Sequence, residues 1–97
     1  MQKFSLEALA RGQLKIAKES TNGRSSQTVY GGHEHALRQT LIALTAGTAL
    51  AEHKTPGQAT VHLLSGRVRL SAGQDSCAGR TGDLIIVPPA RDALHRV

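Results

Sequence analysis

The residues best suited to chemistry in this 97-residue chain are its five histidines. Neutral imidazoles bind iron, nickel, copper and zinc, and sequence alone does not choose among these metals. His33 and His35 stand at positions i and i+2, so on a strand both rings would share one face and could hold a single ion. The preceding Gly31-Gly32 pair indicates instead a corner with exposed or hydrogen-bonded rings. Both interpretations stay open, and His35 is a candidate ligand.

The usual constellations for nucleophilic or acid–base catalysis are absent from the sequence. Only seven residues are acidic. Glu34 and Glu52 adjoin histidines, but neighbours on a strand point to opposite faces. The single cysteine, Cys77, permits no intramolecular disulfide and fits a reducing cytoplasm. Whether the protein is an enzyme is therefore uncertain from its residues.

Short apolar segments with turn residues between them fill most of the chain and predict a mainly β fold. Turns are expected at Ala46-Gly47, Pro56-Gly57 and Ser65-Gly66, where glycine or proline favours reversal. Residues 59–64 alternate between two faces, which places His62 on the outside if its neighbours face inward. The Gly-rich residues 72–81 predict a loop or a short weak strand.

Two segments resemble the signatures of the cupins, a family of small β-barrels. The first runs from Gly47 to Gly66 and has His53 at the first ligand position of the motif. The second runs from Gly82 to Pro89, where Gly-Asp leads into an apolar strand that two prolines end. This resemblance implies a cupin-type double-stranded β-helix, or jelly-roll barrel, with a short N-terminal helix. It also implies a homodimer, as is common in the family.

Cupins that hold a metal usually supply His-x-His and Glu from the first segment and His from the second. In this sequence only His53 is retained, and the other ligand positions fall on residues of other types: Thr55, Gln58 or Ala59, and Ala93. His95 shares the strand parity of Ala93 and would lie about 6.6 Å further along a strand. The resemblance therefore implies either a metal site built from His53 and His95 and completed by water, His33 or His35, or no metal at all.

A barrel without metal would present other side chains to a ligand in its cavity. The candidates are His53, Gln58 and one residue of the predicted strand 37–44. Either Arg38 or Gln39 would project inward, because the strand pattern does not decide which face is internal.

An N-terminal helix is predicted to begin after Ser5, a favourable N-cap residue, and to continue to about Lys18. Gly12 weakens this prediction. We expect residues 1–22 to form a helical arm and linker, and residues 23–97 to form the barrel domain; whether this domain has or lacks the family's final strand stays open. The strand 84–87 is apolar throughout, which predicts burial on both faces. The edge near residues 91–97 is expected to pair with the N-terminal segment or another subunit.

The formal net charge is +5 and the pI is about 10.2. Nucleic-acid binding is nevertheless not expected, because the basic residues are spread along the chain from Lys3 to Arg96. Phe4 and Tyr30 are the only aromatic residues, whereas single-strand binding generally needs stacking platforms. No apolar segment has the roughly 20 residues of a membrane helix, so no membrane partner is expected.

The function that the sequence favours is a non-catalytic barrel that binds or senses a small molecule. The alternative is a metal-dependent cupin enzyme of the oxygenase or isomerase type that uses His53 and His95. That enzyme would carry one divalent transition metal, Fe, Ni, Cu or Zn, whereas the favoured function needs no metal.

Overall fold

The computed structural model describes residues 1–50, 53–54, 58–72, 74–87 and 92–96, and it describes 53–54, 72 and 92–96 by backbone alone. The fold is mainly β with one N-terminal helix, as the sequence predicts. The chain divides into two compact units, Met1–Ala46 and Gly47–Val97. The sequence predicts a helical arm and linker over residues 1–22 and a barrel over residues 23–97, and this division stays a prediction. In the described part of the chain, no helix is long and apolar enough to cross a membrane.

The first unit contains α1 (Leu6–Glu19), β1 (Arg24–Tyr30) and β2 (Gln39–Leu44). The predicted helix is confirmed, and its N-cap is Ser5, whose Oγ accepts a hydrogen bond from the backbone N of Ala8 at 3.2 Å. This bond satisfies one of the free donors of the first turn. Gly12 does not interrupt the helix.

Helix α1 packs on the antiparallel pair β1 and β2. Ala17 of α1 and Ala43 of β2 are buried, so their apolar surface is removed from water. A polar connection lies beside them, because Gln13 Nε2 donates to Gln27 Oε1 at 3.0 Å and Ser25 Oγ donates to the carbonyl of Gln13 at 2.7 Å. These bonds fix the helix to β1 at a specific position.

Strand β1 begins at Arg24, soon after α1 ends at Glu19, although residues 20–26 are polar. The side-chain oxygen of Asn22 accepts from the backbone N of Arg24 at 3.1 Å, and Gly23 has φ 70°. This turn chemistry reverses the chain within a few residues of the helix end, so the strand follows at once.

The described residues of the second unit form six short strands: β3 (His53–Lys54), β4 (Ala59–His62), β5 (Arg67–Ala72), β6 (Asp75–Arg80), β7 (Leu84–Val87) and β8 (Asp92–Arg96). They form a four-stranded sheet in the order β3-β8-β5-β6 and a two-stranded sheet of β4 and β7. All of these pairs are antiparallel. The weak segment 72–81 thus yields a full six-residue strand, since pairing with β5 compensates for its poor propensity.

The edge predicted near residues 91–97 is covered in part within its own unit, because strand β8 lies between β3 and β5 and pairs with both of them. Residues 93–96 pair with β5, whereas the described residues of β3 pair with Asp92 and Ala93 alone. Pairing of the rest of this edge with the N-terminal segment or another subunit stays a prediction.

Backbone hydrogen bonds extend the pairing of β4 and β7 just beyond His62 and Leu84. The backbone N of Leu63 donates to the carbonyl of Asp83 at 2.9 Å, and Gly82 N donates to the carbonyl of Leu63 at 2.8 Å. Gly82 has φ 91°, a conformation that glycine adopts without strain. The turns predicted at residues 46–47 and 65–66 are confirmed, whereas Pro56-Gly57 lies outside the described residues.

Strand β7 is not buried on both faces as its apolar run predicts. Val87 is buried and Ile85 is half-buried, but Leu84 and Ile86 are each 61% exposed in the single chain. The difference arises because β4 and β7 form a two-stranded sheet of which this chain covers one face. His62, opposite Leu84, is exposed as predicted.

Candidate functional site

The candidate site is built on one face of the four-stranded sheet, which we call the Leu70 face. Leu70 is 5% exposed and marks the covered side of β5. Strand pairing sets His95 opposite Leu70 and Ala93 opposite Ala72. Residues directly opposite each other share a face of the sheet, so the positions of His95 and Ala93 belong to the Leu70 face.

His53 lies on the same face, because it pairs with Ala93 across β3 and β8. It is therefore a diagonal neighbour of His95, and diagonal neighbours in an antiparallel pair lie roughly 7–8 Å apart. The structure thus brings together the two histidine positions that the sequence singles out. Its description of both residues is limited to the backbone.

The opposite end of the Leu70 face is filled by apolar packing. A Cβ atom placed on Gly79 would lie 2.9 Å from Ile85 Cδ1 and 3.3 Å from Leu63 Cδ1. These distances are shorter than ordinary van der Waals contacts, so β6 and β7 approach each other closely here. Toward His53 and His95, the paired positions of this face are the small residues Ala72 and Ala93, with Asp75 directly opposite Ala72.

The other predicted cavity residues are all exposed. Gln58 directly precedes β4 in the second unit. Arg38 precedes β2 in the first unit, and Gln39 begins that strand opposite Tyr30. The predicted strand at residues 37–44 is confirmed from Gln39 onward. The cavity role of these three residues stays a prediction.

His35 lies at a corner, and the strand geometry that would align it with His33 is not formed. The backbone N of His35 donates to the carbonyl of Gly32 at 3.2 Å, which closes a turn. The ring of His35 lies 4.7 Å from that of Tyr30, and its Nδ1 is 3.4 Å from the Tyr30 hydroxyl. Its Nε2 is 3.9 Å from Glu34 Oε1. His35 therefore contacts a phenol and a carboxylate.

Among the side chains that the structure describes, no three His, Cys, Asp or Glu residues form a group able to hold a metal ion. The side chains of His53 and His95 are not among those described, so this finding does not cover them. A site made from His53 and His95 would need water or a further protein group to reach the coordination that these metals usually have.

Sequence reasoning identified the histidines on this face but missed the residues that surround them. Leu70, Ala72 and Ala93 share a face with the histidines only through strand pairing. The alternation of Val68 and Leu70 with Arg67 and Arg69 predicts which side of β5 is internal, but not which residues of β8 and β3 lie beside it.

No model of a known protein family matches the sequence, and no curated protein matches it. Solved structures do resemble the fold. A conserved SPY1581 protein of unknown function from Streptococcus pyogenes matches with a TM-score of 0.69 and 23% identity over 79% of this chain and 66% of that one, slightly under two thirds of its length. A structural-genomics protein of unknown function from Rhizobium leguminosarum matches with a TM-score of 0.70 and 14% identity over 99% of this chain and 84% of that one. At these identities the likeness concerns the fold alone.

Proposed function

We propose that the protein is a small cupin-type barrel that binds a small molecule and does not catalyse a reaction. The observation that carries the proposal is the pairing of His53 with Ala93. In the resemblance to cupins, these two positions correspond to metal-ligand positions of the first and second signatures, and their direct pairing agrees with such a fold. Only one of the two is still a histidine.

The ligand class follows from what shares this face. Leu70 is apolar and buried, and alanines occupy the positions between it and His53. The exposed residues Cys77 and Asp75 of β6 lie opposite Leu70 and Ala72 and also belong to this face. Two imidazoles supply hydrogen bonds and, when protonated, positive charge. Such a lining suits a small molecule with an apolar body and one hydrogen-bonding or anionic group.

The competing function is a metal-dependent enzyme of the oxygenase or isomerase type. It is favoured by the diagonal placement of His53 and His95, a distance over which two imidazoles could share an ion. If these residues hold a metal, the metal would supply Lewis acidity or redox chemistry, and the two histidines would bind and orient it.

Metal content of the freshly purified protein distinguishes the two functions. The proposal expects metal well below one ion per chain, unchanged in His53→Ala and His95→Ala. Close to one ion per chain, lost in either variant but kept in the control His62→Ala, would refute it in favour of the enzyme. His62 is a suitable control because it is exposed and lies on the other sheet of the same unit.

Ligand binding itself is tested by native mass spectrometry and by titration with 8-anilinonaphthalene sulfonate, an apolar probe that carries one anionic group. We expect a copurified small-molecule adduct or saturable dye binding in the unaltered protein and in His62→Ala. Both signals should fall in His53→Ala and His95→Ala. Equal signals in all four proteins would reject the Leu70 face as the binding site.

The homodimer also belongs to this proposal. Exposed Leu84 and Ile86 offer apolar surface on β7 that a second copy would cover. Light scattering across a range of concentrations checks it, and a mass of one chain at every concentration would reject it.

A further inference from the structure

The opposite face of the four-stranded sheet gathers arginines from three neighbouring strands. We call it the arginine face. Arg67 on β5 lies directly opposite Arg80 on β6, and Arg69 on β5 lies directly opposite Arg96 on β8. Arg67 and Arg69 are two residues apart on one strand, so all four positions belong to one face. Four of the eight arginines in the chain are thus adjacent, although up to 29 residues separate them in sequence.

The described arginines of this face, Arg67, Arg69 and Arg80, are exposed and form no ion pair with any side chain that the structure describes. The carboxylate of Asp83 accepts from the backbone N of Arg80 at 2.9 Å, not from its guanidinium. Arg69 Nη1 donates to Ser76 Oγ at 3.3 Å, a neutral partner. The positive charge of this face is therefore not balanced by a described carboxylate.

Like charges directly opposite each other destabilise an antiparallel pair. This sheet has two such pairs side by side, and an anion placed between the guanidinium groups would relieve both. Each guanidinium presents paired N–H donors that match the oxygens of a phosphate group. Along β5, Arg67 and Arg69 are separated by roughly 7 Å, so successive anionic groups of one chain could be engaged.

We propose that the arginine face binds the phosphate backbone of a nucleic acid, through charge and without reading the base sequence. Interfaces with nucleic acids are polar and strongly positive, and serine hydroxyls commonly contact phosphates. The arginine face has largely this composition, since its other described side chains are the small residues Ser71, Ser76 and Ala78. Strand pairing also places Leu94 opposite Ser71 on this face, and the oppositely charged pair Lys54 and Asp92 at its far end. No described side chain on this face is aromatic, which leaves no platform for stacking bases.

An acidic protein segment fits the face less well. Protein interfaces have an apolar core from which charged residues are depleted. Among the paired positions of the arginine face, four are arginines and Leu94 alone is large and apolar, so charge predominates over apolar surface. A small phosphorylated molecule would gain little from an exposed sheet face, whereas a polyanion engages several guanidinium groups at once.

Salt-dependent binding of a short single-stranded RNA of mixed sequence tests the proposal. Four phosphate contacts predict a slope of about −2.8 in a plot of log K against log salt, so a fourfold rise in salt weakens binding about 50-fold. The test variant replaces three arginines of the face: Arg67→Gln, Arg69→Gln and Arg80→Gln. Its slope should shrink to about −0.7, a loss of about 2.5-fold over the same range.

The matched control replaces three exposed lysines of the first unit: Lys3→Gln, Lys15→Gln and Lys18→Gln. Both triple variants lower the formal net charge from +5 to +2, so they differ in where charge is lost and not in how much. The control should keep the slope of the unaltered protein. Circular dichroism and urea denaturation confirm that each variant is folded.

Three outcomes would overturn the proposal. Equal reductions of the slope in the two variants would show that total charge, not this face, binds RNA. No binding to RNA or duplex DNA at low salt would exclude a nucleic acid altogether. Polyglutamate displacing the RNA at an equal or lower concentration of charge would assign the face to an acidic protein segment instead.

Discussion

Two glycine-to-alanine substitutions should change stability in opposite directions. In Gly79→Ala, the new Cβ would lie 2.9 Å from Ile85 Cδ1 and 3.3 Å from Leu63 Cδ1. Carbon atoms prefer separations of about 3.5 Å or more, so Ile85 Cδ1 must retreat by about 0.6 Å. Overpacking of this kind costs about 1–3 kcal/mol, and the low end applies because the contacted atoms end flexible side chains. Restricting the unfolded chain returns about 0.5 kcal/mol, which leaves a net loss of about 0.5 kcal/mol.

Gly12→Ala supplies the comparison, because a Cβ on Gly12 meets no atom within 4 Å. Gly12 lies inside α1, where replacing glycine by alanine stabilises by about 0.5–1 kcal/mol. Urea denaturation followed by circular dichroism measures both changes, and about 1 kcal/mol shifts the melting temperature by roughly 4–8 °C in a domain of this size.

The double variant Gly79→Ala with Ile85→Val tests the assigned contact directly. Removing Cδ1 of Ile85 makes room for the new methyl group, so the two changes together should cost less than the sum of the single changes. If Gly79→Ala stabilises the protein as Gly12→Ala does, β6 does not pack against Ile85 and Leu63. The reasoning about the filled end of the Leu70 face would then fail.

Three further substitutions test individual interactions by the same denaturation assay. Ser5→Ala removes the N-cap of α1 and should cost about 1 kcal/mol, whereas an unchanged stability would mean that the capping bond contributes nothing. Gln13→Ala breaks the bond to Gln27 and should cost about 1–2 kcal/mol, and a smaller loss would show that this bond does not fix the helix. Arg80→Glu converts the repulsive pair with Arg67 into an attractive one and should stabilise by about 0.2–1 kcal/mol; a loss would contradict their direct pairing.

Features that depend on neighbours in sequence were predictable. The N-cap at Ser5 and the turns at residues 46–47 and 65–66 follow from the chemistry of a few adjacent residues, and the structure has all of them. The outward position of His62 follows from strand alternation in the same way.

Features that depend on which strands pair were not predictable. The composition of β6 is weak for a strand, and its formation depends on β5. The edge expected at residues 91–97 is covered in part because β3 and β5 flank β8, and residues 53 and 72 are remote from it in sequence. The exposed Leu84 and Ile86 show the same limit, since an apolar run does not specify how many of its faces are covered.

The spread of basic residues along the sequence argued against a nucleic-acid surface, but distance in sequence does not measure distance in a sheet. Arg67 and Arg96 are 29 positions apart in sequence and lie on adjacent strands. A charge cluster built across strands has no local sequence signature, so only the strand order and pairing reveal it.

One pairing register determines both faces of the four-stranded sheet. The pairing of β5 with β8 sets His95 opposite Leu70 and Arg96 opposite Arg69. Slipping β8 by one residue would exchange its faces, moving the histidine to the arginine face and Arg96 to the Leu70 face. Such a slip would bring an arginine against buried Leu70, which is costly, so the apolar packing that fixes the register also separates the two chemistries. Because side chains on opposite faces of a strand do not contact each other, substitutions at His53 or His95 should leave RNA binding unchanged, and the arginine substitutions should leave the dye titration unchanged.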